Sequence, residues 1–229
     1  MTLLSIIIPV LNEFENILQL IKFFNNENGN FEVIVAESSR SKYRVKEICV
    51  QNNFTYVACK GESRASQMNE AALLAKGEIL CFLHADVLPP DSFYHLITNA
   101  ISKGYSLGFF AYRFEPASFL LNINARFTTK DGVFSGGGDQ VQFMTKSIYK
   151  TLNGYDTTFN IMEDFDLIRR FRKLGKPITI IQNKAIVSSR KYSNNSWLRV
   201  NFSNLLVFTM FLLRCKPEMI KKIYSKILH

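Results

Sequence analysis

One apolar segment of the chain, residues 79–86 (ILCFLHAD), ends in a histidine and a carboxylate. A continuous apolar run is typical of a strand that is buried on both faces, and polar residues at its carboxyl end fall where open α/β sheets bind ligands. A carboxylate at that position can ligate a divalent cation, which neutralises the phosphates of a substrate. Asp86 is therefore a candidate metal ligand, and a plain loop residue ahead of Pro89 is the alternative.

Polar side chains also follow the other predicted strands of the first half. Because the carboxyl ends of parallel strands meet at one edge of a sheet, we expect these side chains to converge. A nucleotide diphosphate needs hydrogen-bonding groups for its base, a cation for its pyrophosphate and a guanidinium, for which Glu37, Asp86 and Arg64 are candidates. The converging residues are Asn12, Glu13, Glu37, Arg64, His84 and Asp86.

A second group of carboxylates occurs in residues 161–167 (IMEDFDL), where Glu163, Asp164 and Asp166 lie at the predicted start of a helix. The helix dipole stabilises negative charge there, but capping alone accounts for one carboxylate rather than for three. A carboxylate held near an acceptor hydroxyl can take its proton during displacement at a sugar carbon. This group is therefore a candidate for acid-base chemistry.

Strands and helices alternate through the first half of the chain, because apolar runs are followed by segments with helical spacing of apolar residues. Consecutive strand-helix units predict an α/β fold with a mostly parallel central sheet and helices on both faces. The predicted strands of this half span residues 3–10, 31–36, 54–58 and 78–83. The less regular second half is predicted to contain, in order, a strand, a helix and a strand at 141–145, 162–174 and 178–181.

The chain has 229 residues, of which 47% are hydrophobic, and no Pro/Gly/Ser-rich linker or internal repeat divides it. We therefore predict one domain over residues 1–229, with a nucleotide-binding half at 1–103, an acceptor-side half at 104–190 and a C-terminal helical segment at 191–229. The apolar start lacks the basic region and cleavage site of a signal peptide, and the four cysteines lack metal-binding spacing. A cytoplasmic location is expected.

The net charge of +9 favours an anionic partner. Nucleotide phosphates, anionic lipid and nucleic acid all qualify, but no recognised nucleic-acid module is present. The apolar stretch 205–213 is too short to span a bilayer. With Arg214 and Lys216 it could form an interfacial helix against anionic lipid, which would suit a lipid-linked acceptor; a core-packing helix or a dimer contact is equally compatible with it.

Several segments resemble the family-2 glycosyltransferases, which have the GT-A fold. They are residues 5–13 (SIIIPVLNE), the His84-Ala85-Asp86 element and the Glu163-Asp164 pair. With residues 64–69 (RASQMN), the chain is similar to a bacterial subgroup of glycosyltransferases that has a His-Ala-Asp element. The resemblance extends over roughly residues 3–190 in the right order, which is more specific than any one motif.

The resemblance implies roles for the matching residues. Glu13 and Glu37 would contact the nucleoside, Arg64 the base or the phosphates, and Asp86 the metal and the diphosphate. The sequence departs from the family at two places: Glu37 begins Glu-Ser-Ser where Asp-Gly-Ser is usual, and His84 replaces the first Asp of the metal-binding element. The implied donor-binding residues are Pro9, Asn12, Glu13, Glu37, Arg64, Asn69, His84, Ala85 and Asp86.

The same resemblance makes Asp164 the general base, with Glu163 beside it as a second catalytic residue. It implies a glycosyltransferase that moves a sugar from a nucleotide-diphosphate donor to an unidentified acceptor hydroxyl, with Mg²⁺ or Mn²⁺ as cofactor. A base that deprotonates the acceptor for direct displacement implies inversion at the anomeric carbon. Two alternatives stay open: a nucleotidyltransferase and a noncatalytic module that binds a nucleotide sugar.

Overall fold

The first predicted strand, β1 (Leu4–Val10), is completely buried in the computed structural model, which describes residues 2–228. It pairs in parallel with β2 (Phe31–Glu37) on one side and with β4 (Ile79–Phe82) on the other. β3 (Thr55–Ala58) extends the sheet in parallel beyond β2. The strands predicted for the first half therefore form a parallel unit whose carboxyl ends share one edge.

Helices cover both faces of this unit, as the alternating pattern predicts. Successive side chains of a strand point to opposite faces, and Ile6 and Ile8 of β1 accordingly join one apolar core while Ile7 joins another. Each fully buried side chain of this size contributes roughly 1.5–3 kcal/mol to the stability of the fold. The helices of this half are α1 (Phe14–Asn26), α2 (Lys46–Gln51), α3 (Arg64–Leu74) and α4 (Phe93–Ser102).

The second half continues the same sheet, which within residues 2–228 has the strand order β3-β2-β1-β4-β7-β6-β8-β5. β7 pairs antiparallel with both β4 and β6, β6 and β8 are parallel, and β5 is antiparallel to β8. The predicted α/β fold with a mostly parallel sheet is confirmed. The added strands are β5 (Val87–Leu88), β6 (Leu107–Glu115), β7 (Gln142–Thr145) and β8 (Thr179–Ser188).

β8 is longer than the predicted strand at 178–181, because exposed polar residues at 182–184 interrupt its apolar pattern. Its pairing with β6 also shifts register between Phe110 and Tyr112, so no simple alternation marks its second half. The helices of this region are α5 (Phe119–Arg126), α6 (Lys146–Thr151) and α7 (Glu163–Arg172).

The C-terminal segment folds back over the start of α7. Val207 and Phe211 are buried in a small apolar cluster with Ile220, and Phe165 of α7 packs against that cluster. One face of the predicted apolar stretch therefore packs on the domain. None of the helices in residues 2–228 has the length and apolar character needed to cross a membrane. The segment contains α8 (Arg190–Ser193), α9 (Trp197–Leu212) and α10 (Pro217–Ile227).

Candidate active site

Two cavities lie at the carboxyl edge of the parallel strands. The first has a volume of about 360 Å³ and is bounded by the ends of β1 and β4 and the start of α3. We call it the donor cavity because it contains most of the residues that were predicted to bind a donor. Residues from separate strand-helix units meet there, as the predicted convergence requires. The sequence-predicted residues that line it are Pro9, Glu13, Arg64, His84, Ala85 and Asp86.

The second has a volume of about 650 Å³. We call it the acceptor cavity because it contains Asp164, the residue that was predicted to deprotonate an acceptor. Arg64, His84 and Asp86 line this cavity as well as the donor cavity. Glu163 and Asp164 line the acceptor cavity from the start of α7. The fold thus brings two predicted groups together that are far apart in sequence: the residues at the strand ends and the carboxylates at the start of α7.

Local structure fixes the position of Arg64. Ser63 caps α3, because its hydroxyl accepts a hydrogen bond from the backbone N–H three residues on at 3.1 Å. The buried side chain of Gln67 donates to the carbonyl oxygens of Val10 at 2.9 Å and Ala36 at 2.7 Å. These bonds hold the first turn of α3 against β1 and β2, so that Arg64 opens into both cavities.

The side chains of Glu163 and Asp164 differ in their partners. Arg64 Nη1 donates to Glu163 Oε1 at 3.3 Å, which joins α3 to α7. Asp164 is 7% exposed, and burial, followed by the charge of Glu163, raises its pKa to about 7. A carboxylate with a pKa near neutrality can accept a proton at physiological pH. The preceding residue, Met162, has a φ of 69°, a left-handed conformation that is uncommon for a long side chain.

The third carboxylate of the group has a structural role. Asp166 accepts hydrogen bonds from Arg169 at 2.6 Å and from Arg170 at 2.7 Å within α7. Arg170 also donates to the carbonyl oxygen of Gly154 at 2.9 Å, so this ion pair anchors the helix to the preceding loop. Asp166 is therefore explained without a catalytic function.

Asp86 and His84 lie between the two cavities. Burial, followed by the charge of Asp139, raises the pKa of Asp86. His84 is buried, and its Nδ1 lies 3.7 Å from Asp139 Oδ1. Over residues 2–228, no three His, Cys, Asp or Glu side chains are grouped so as to hold a metal ion by themselves. Mg²⁺ often binds through one or two carboxylates together with substrate phosphates, and Asp86 fits a site of that kind.

Glu13 forms part of the wall of the donor cavity, but its carboxylate is already paired. Arg190 donates to Glu13 Oε1 at 2.7 Å and to Oε2 at 3.3 Å, and Asn16 donates to Oε2 at 2.5 Å. The contact of one guanidinium with both carboxylate oxygens is bidentate, which gives the pair a defined geometry. The predicted contact of Glu13 with a nucleoside stays a prediction.

Glu37 does not line either cavity among the described residues, although it ends β2 at the expected edge. Its side chain is fully buried: the Tyr56 hydroxyl donates to Oε2 at 2.7 Å, and Arg44 Nη1 lies 3.6 Å from the same oxygen. Oε1 is buried without a hydrogen-bond partner in the part of the chain that is described. A role of Glu37 in base recognition stays a prediction.

Asn69 and Asn12 also lie outside the described walls of both cavities. Asn69 Oδ1 accepts from the Tyr149 hydroxyl at 2.5 Å and from the Tyr155 backbone N–H at 2.9 Å. Asn12 accepts from the backbone N–H of Lys42 at 2.7 Å. Both amides therefore hold loops in place. Their contacts with a donor stay predictions.

The C-terminal segment supplies site residues that sequence reasoning did not single out. Arg190 and Lys221 line the donor cavity, and Lys191 and Tyr224 line the acceptor cavity. For the three basic residues among them, the sequence signal was the concentration of basic residues in the last third of the chain, which does not distinguish a cavity wall from an exposed surface.

The chain is similar in fold to several solved structures. The chain is similar to the mannosyltransferase PcManGT from Pyrobaculum calidifontis in complex with GDP-Man and Mn²⁺, with a TM-score of 0.69 and 17% identity over 97% of this chain and 68% of that one. It is also similar to S. aureus TarS 1-349 in complex with UDP-GlcNAc, with a TM-score of 0.65 and 14% identity over 98% of this chain and 71% of that one.

A third similar structure is glucosyl-3-phosphoglycerate synthase from Mycobacterium tuberculosis in complex with Mn²⁺, UDP and glucosyl-3-phosphoglycerate. Its TM-score is 0.61 at 15% identity, over 91% of this chain and 79% of that one. A search of curated protein sequences gave no match.

The sheet and its covering helices give the chain the GT-A fold of these structures. The family model described as glycosyl transferase family 2 matches residues 5–175. The chain belongs to that family.

Proposed function

We propose that the protein transfers a sugar from a nucleotide-diphosphate donor to an acceptor hydroxyl, with inversion at the anomeric carbon. The observation that carries this proposal is the junction of the two cavities. Asp86 and Arg64 are common to both, and Asp164 lines only the acceptor cavity. A sugar at the junction would have its diphosphate on one side and a base on the other.

Asp164 acts as the general base in this proposal. The acceptor oxygen attacks the anomeric carbon, the bond from that carbon to the diphosphate oxygen breaks, and the acceptor proton passes to the Asp164 carboxylate. The pKa of about 7 supports the assignment, because the carboxylate is then basic enough to take a proton and still largely ionised above neutrality. Displacement from the face opposite the leaving group inverts the configuration.

The donor diphosphate lies beside Asp86 and Arg64. Asp86 would hold Mg²⁺ or Mn²⁺ together with the diphosphate, and the bound ion would supply positive charge to the leaving group. Arg64 adds a guanidinium, which Glu163 orients through the 3.3 Å bond. His84 lines both cavities together with Asp86.

The acceptor is proposed to be lipid-linked, and the C-terminal segment is proposed to contact the membrane that carries it. Support comes from the exposed apolar side chains of α9 and from its basic flanks, Arg214 and Lys216. An interfacial helix binds anionic lipid through this combination of apolar area and positive charge.

The proposal is tested by the substitution Asp164→Asn, which keeps the shape of the side chain and removes its basicity. Transfer of the sugar should fall by about a hundredfold or more, while binding of the donor nucleotide stays unchanged. Asp91→Asn, at an exposed carboxylate outside both cavities, is the matched control. Full turnover by the Asp164→Asn protein, or a product with retained anomeric configuration, would contradict the mechanism.

A further inference from the structure

An apolar stripe is exposed on α5. Phe119 is 81% exposed and Phe127 66%, and Ile123 lies between them at helical spacing. The opposite face of the helix is anchored, because Leu121 and Ala125 are buried. Single exposed apolar residues are ordinary in folded proteins, but a row of large ones on one helix face marks an interaction surface.

A second stripe runs along α9. Leu198 is 73% exposed and Phe202 63%, and Leu205 and Leu212 continue the row at positions seven residues apart. The other face of α9 is held in the C-terminal cluster, so the exposed row is not available to the core of this chain. We call these exposed apolar side chains together the apolar rim. Its members are Phe119, Ile123, Phe127 directly after α5, Leu198, Phe202, Leu205 and Leu212.

The apolar rim borders the acceptor cavity. Leu205 lines that cavity directly. Phe127 lines an adjoining recess of about 310 Å³, which shares Asp86 and Phe134 with the acceptor cavity. Phe134 packs on Phe208 of α9 with ring centroids 4.9 Å apart, so the two sides of the opening meet there. A molecule that enters toward Asp86 therefore passes between apolar side chains.

The segments that carry the apolar rim are basic, and one of their lysines, Lys191, lines the acceptor cavity together with the carboxylates of Asp86 and Asp139. The segments 116–130 and 190–217 contain no Asp or Glu, whereas Arg126, Lys130 and Arg199 lie in them. Inside, the Lys191 ammonium group donates to Tyr224 Oη and to Asn204 Oδ1 at 3.4 Å. Within residues 2–228 it forms no direct ion pair with a carboxylate, and the carboxylate that its charge influences is Asp139, whose pKa is lowered by His84 first and by Lys191 after it.

We infer that the apolar rim docks on a bilayer that contains anionic lipid, and that the acceptor is a hydroxyl-bearing lipid whose anionic headgroup binds Lys191. This inference rests on the proposed function and adds to it the surface that docks, the charge of the lipid headgroup and the residue that binds the headgroup. The rim supplies apolar area for the interface, and the surrounding cations match the negative surface of the membrane. A second copy of the chain is disfavoured as the occupant, because a two-fold contact would bring these like charges together.

Vesicle sedimentation tests the docking surface. Vesicles of phosphatidylcholine alone are compared with vesicles of equal parts phosphatidylcholine and phosphatidylglycerol. The protein should bind the mixed vesicles, less at high salt, and the double variant Phe119→Ser, Phe202→Ser should bind at least about tenfold less. The matched control is Leu73→Ser, because Leu73 is 85% exposed at the other end of α3 from Arg64.

Three outcomes would overturn the docking surface: no binding to mixed vesicles, an equal loss in Leu73→Ser, or a dimer that the double variant abolishes while no vesicles are bound. Thermal shift by the donor nucleotide is measured on the same samples. If the nucleotide raises the unfolding temperature but the protein binds no vesicles, this inference alone is rejected. If the nucleotide does not raise the unfolding temperature of the wild-type protein, the proposed function is rejected.

The anion site is tested with short-chain phosphatidylglycerol below its micelle concentration and with inorganic phosphate. The lipid should bind more tightly than phosphate, and Lys191→Gln should weaken lipid binding at least about tenfold without altering the nucleotide shift. Equal affinity for phosphate and lipid would reject an amphiphilic acceptor. Unchanged lipid binding in the Lys191→Gln protein would reject Lys191 as the headgroup ligand.

Discussion

Glu163 and Asp164 are neighbours in sequence, but the fold gives them different chemistry. Glu163 is buried and receives a hydrogen bond from Arg64, whereas burial and the adjacent negative charge raise the pKa of Asp164. Two carboxylates in different surroundings can serve different functions at one pH. In the proposed mechanism Glu163 positions the Arg64 guanidinium and Asp164 accepts a proton.

The substitution Glu163→Gln should shift the pH profile of the reaction. The general base must be ionised, so kcat/KM should fall as the pH drops below about 7. Removing the charge of Glu163 removes one cause that raises the pKa of Asp164, so the acidic limb should move to lower pH. The measurement is kcat/KM against pH, with Glu47→Gln as a distant exposed control. An unmoved limb in the Glu163→Gln protein would show that another group is being titrated.

At the scale of elements, two helices that are far apart in the chain contribute to the wall of the donor cavity. α3 supplies Arg64 from its first turn, and α10 supplies Lys221, which donates to Asn160 Oδ1 at 3.3 Å. The chain therefore uses its C-terminal helix as a wall of the site as well as a cover for α7.

Lys221→Met should weaken binding of a nucleotide diphosphate by several-fold, because it removes a positive charge from the donor cavity. Lys222→Met changes the same net charge one residue along the helix, outside the described walls of that cavity, and should leave affinity unchanged. Titration calorimetry with UDP and GDP compares the two variants. Equal effects would mean that only the overall charge of α10 matters.

The anchoring of α3 depends on Gln67. In Gln67→Met the carbonyl oxygens of Val10 and Ala36 lose their buried donors, which should lower the free energy of unfolding by about 2 kcal/mol. Urea unfolding measures this change. Gln51→Met, at an exposed position of α2, should change the free energy of unfolding by less than about 0.5 kcal/mol. A similar loss in both variants would argue against a special role for the Gln67 bonds.

At the scale of the whole molecule, the site is assembled from the entire length of the chain. The parallel half contributes Asp86 and Arg64, the second half contributes Asp164, and the C-terminal segment closes the cavities with Lys191 and Lys221. A nucleotide that contacts Asp86, Arg64 and Lys221 in the donor cavity should stabilise the first half and the C-terminal segment together.

Ligand stabilisation can be measured by thermal unfolding with UDP, GDP and CDP in Mg²⁺, Mn²⁺ or EDTA. A nucleotide at about 100 times its Kd should stabilise the folded state by about 2.7 kcal/mol. If Asp86 holds the cation together with the diphosphate, EDTA should remove most of the shift, and Asp86→Asn should have the same effect. A full shift in EDTA would contradict metal dependence.

The sequence by itself determined the parallel half of the sheet and the order of its site residues. Apolar residues in buried strands and amphipathic helices repeat at short intervals, so a local stretch of sequence is enough to predict these elements. Because the carboxyl ends of parallel strands share one edge of the sheet, the same patterns predict that Arg64, His84 and Asp86 converge.

Only the tertiary structure decided how the C-terminal helices close the site and which carboxylates face it. Asp166 forms ion pairs with Arg169 and Arg170 and so does not act in the site. Phe165 packs on Phe208 of α9, with ring centroids 5.2 Å apart. The physical reason is that such contacts join residues far apart in the chain and depend on which side chains can share one packed volume. A local hydrophobic pattern carries no information about that choice of partner.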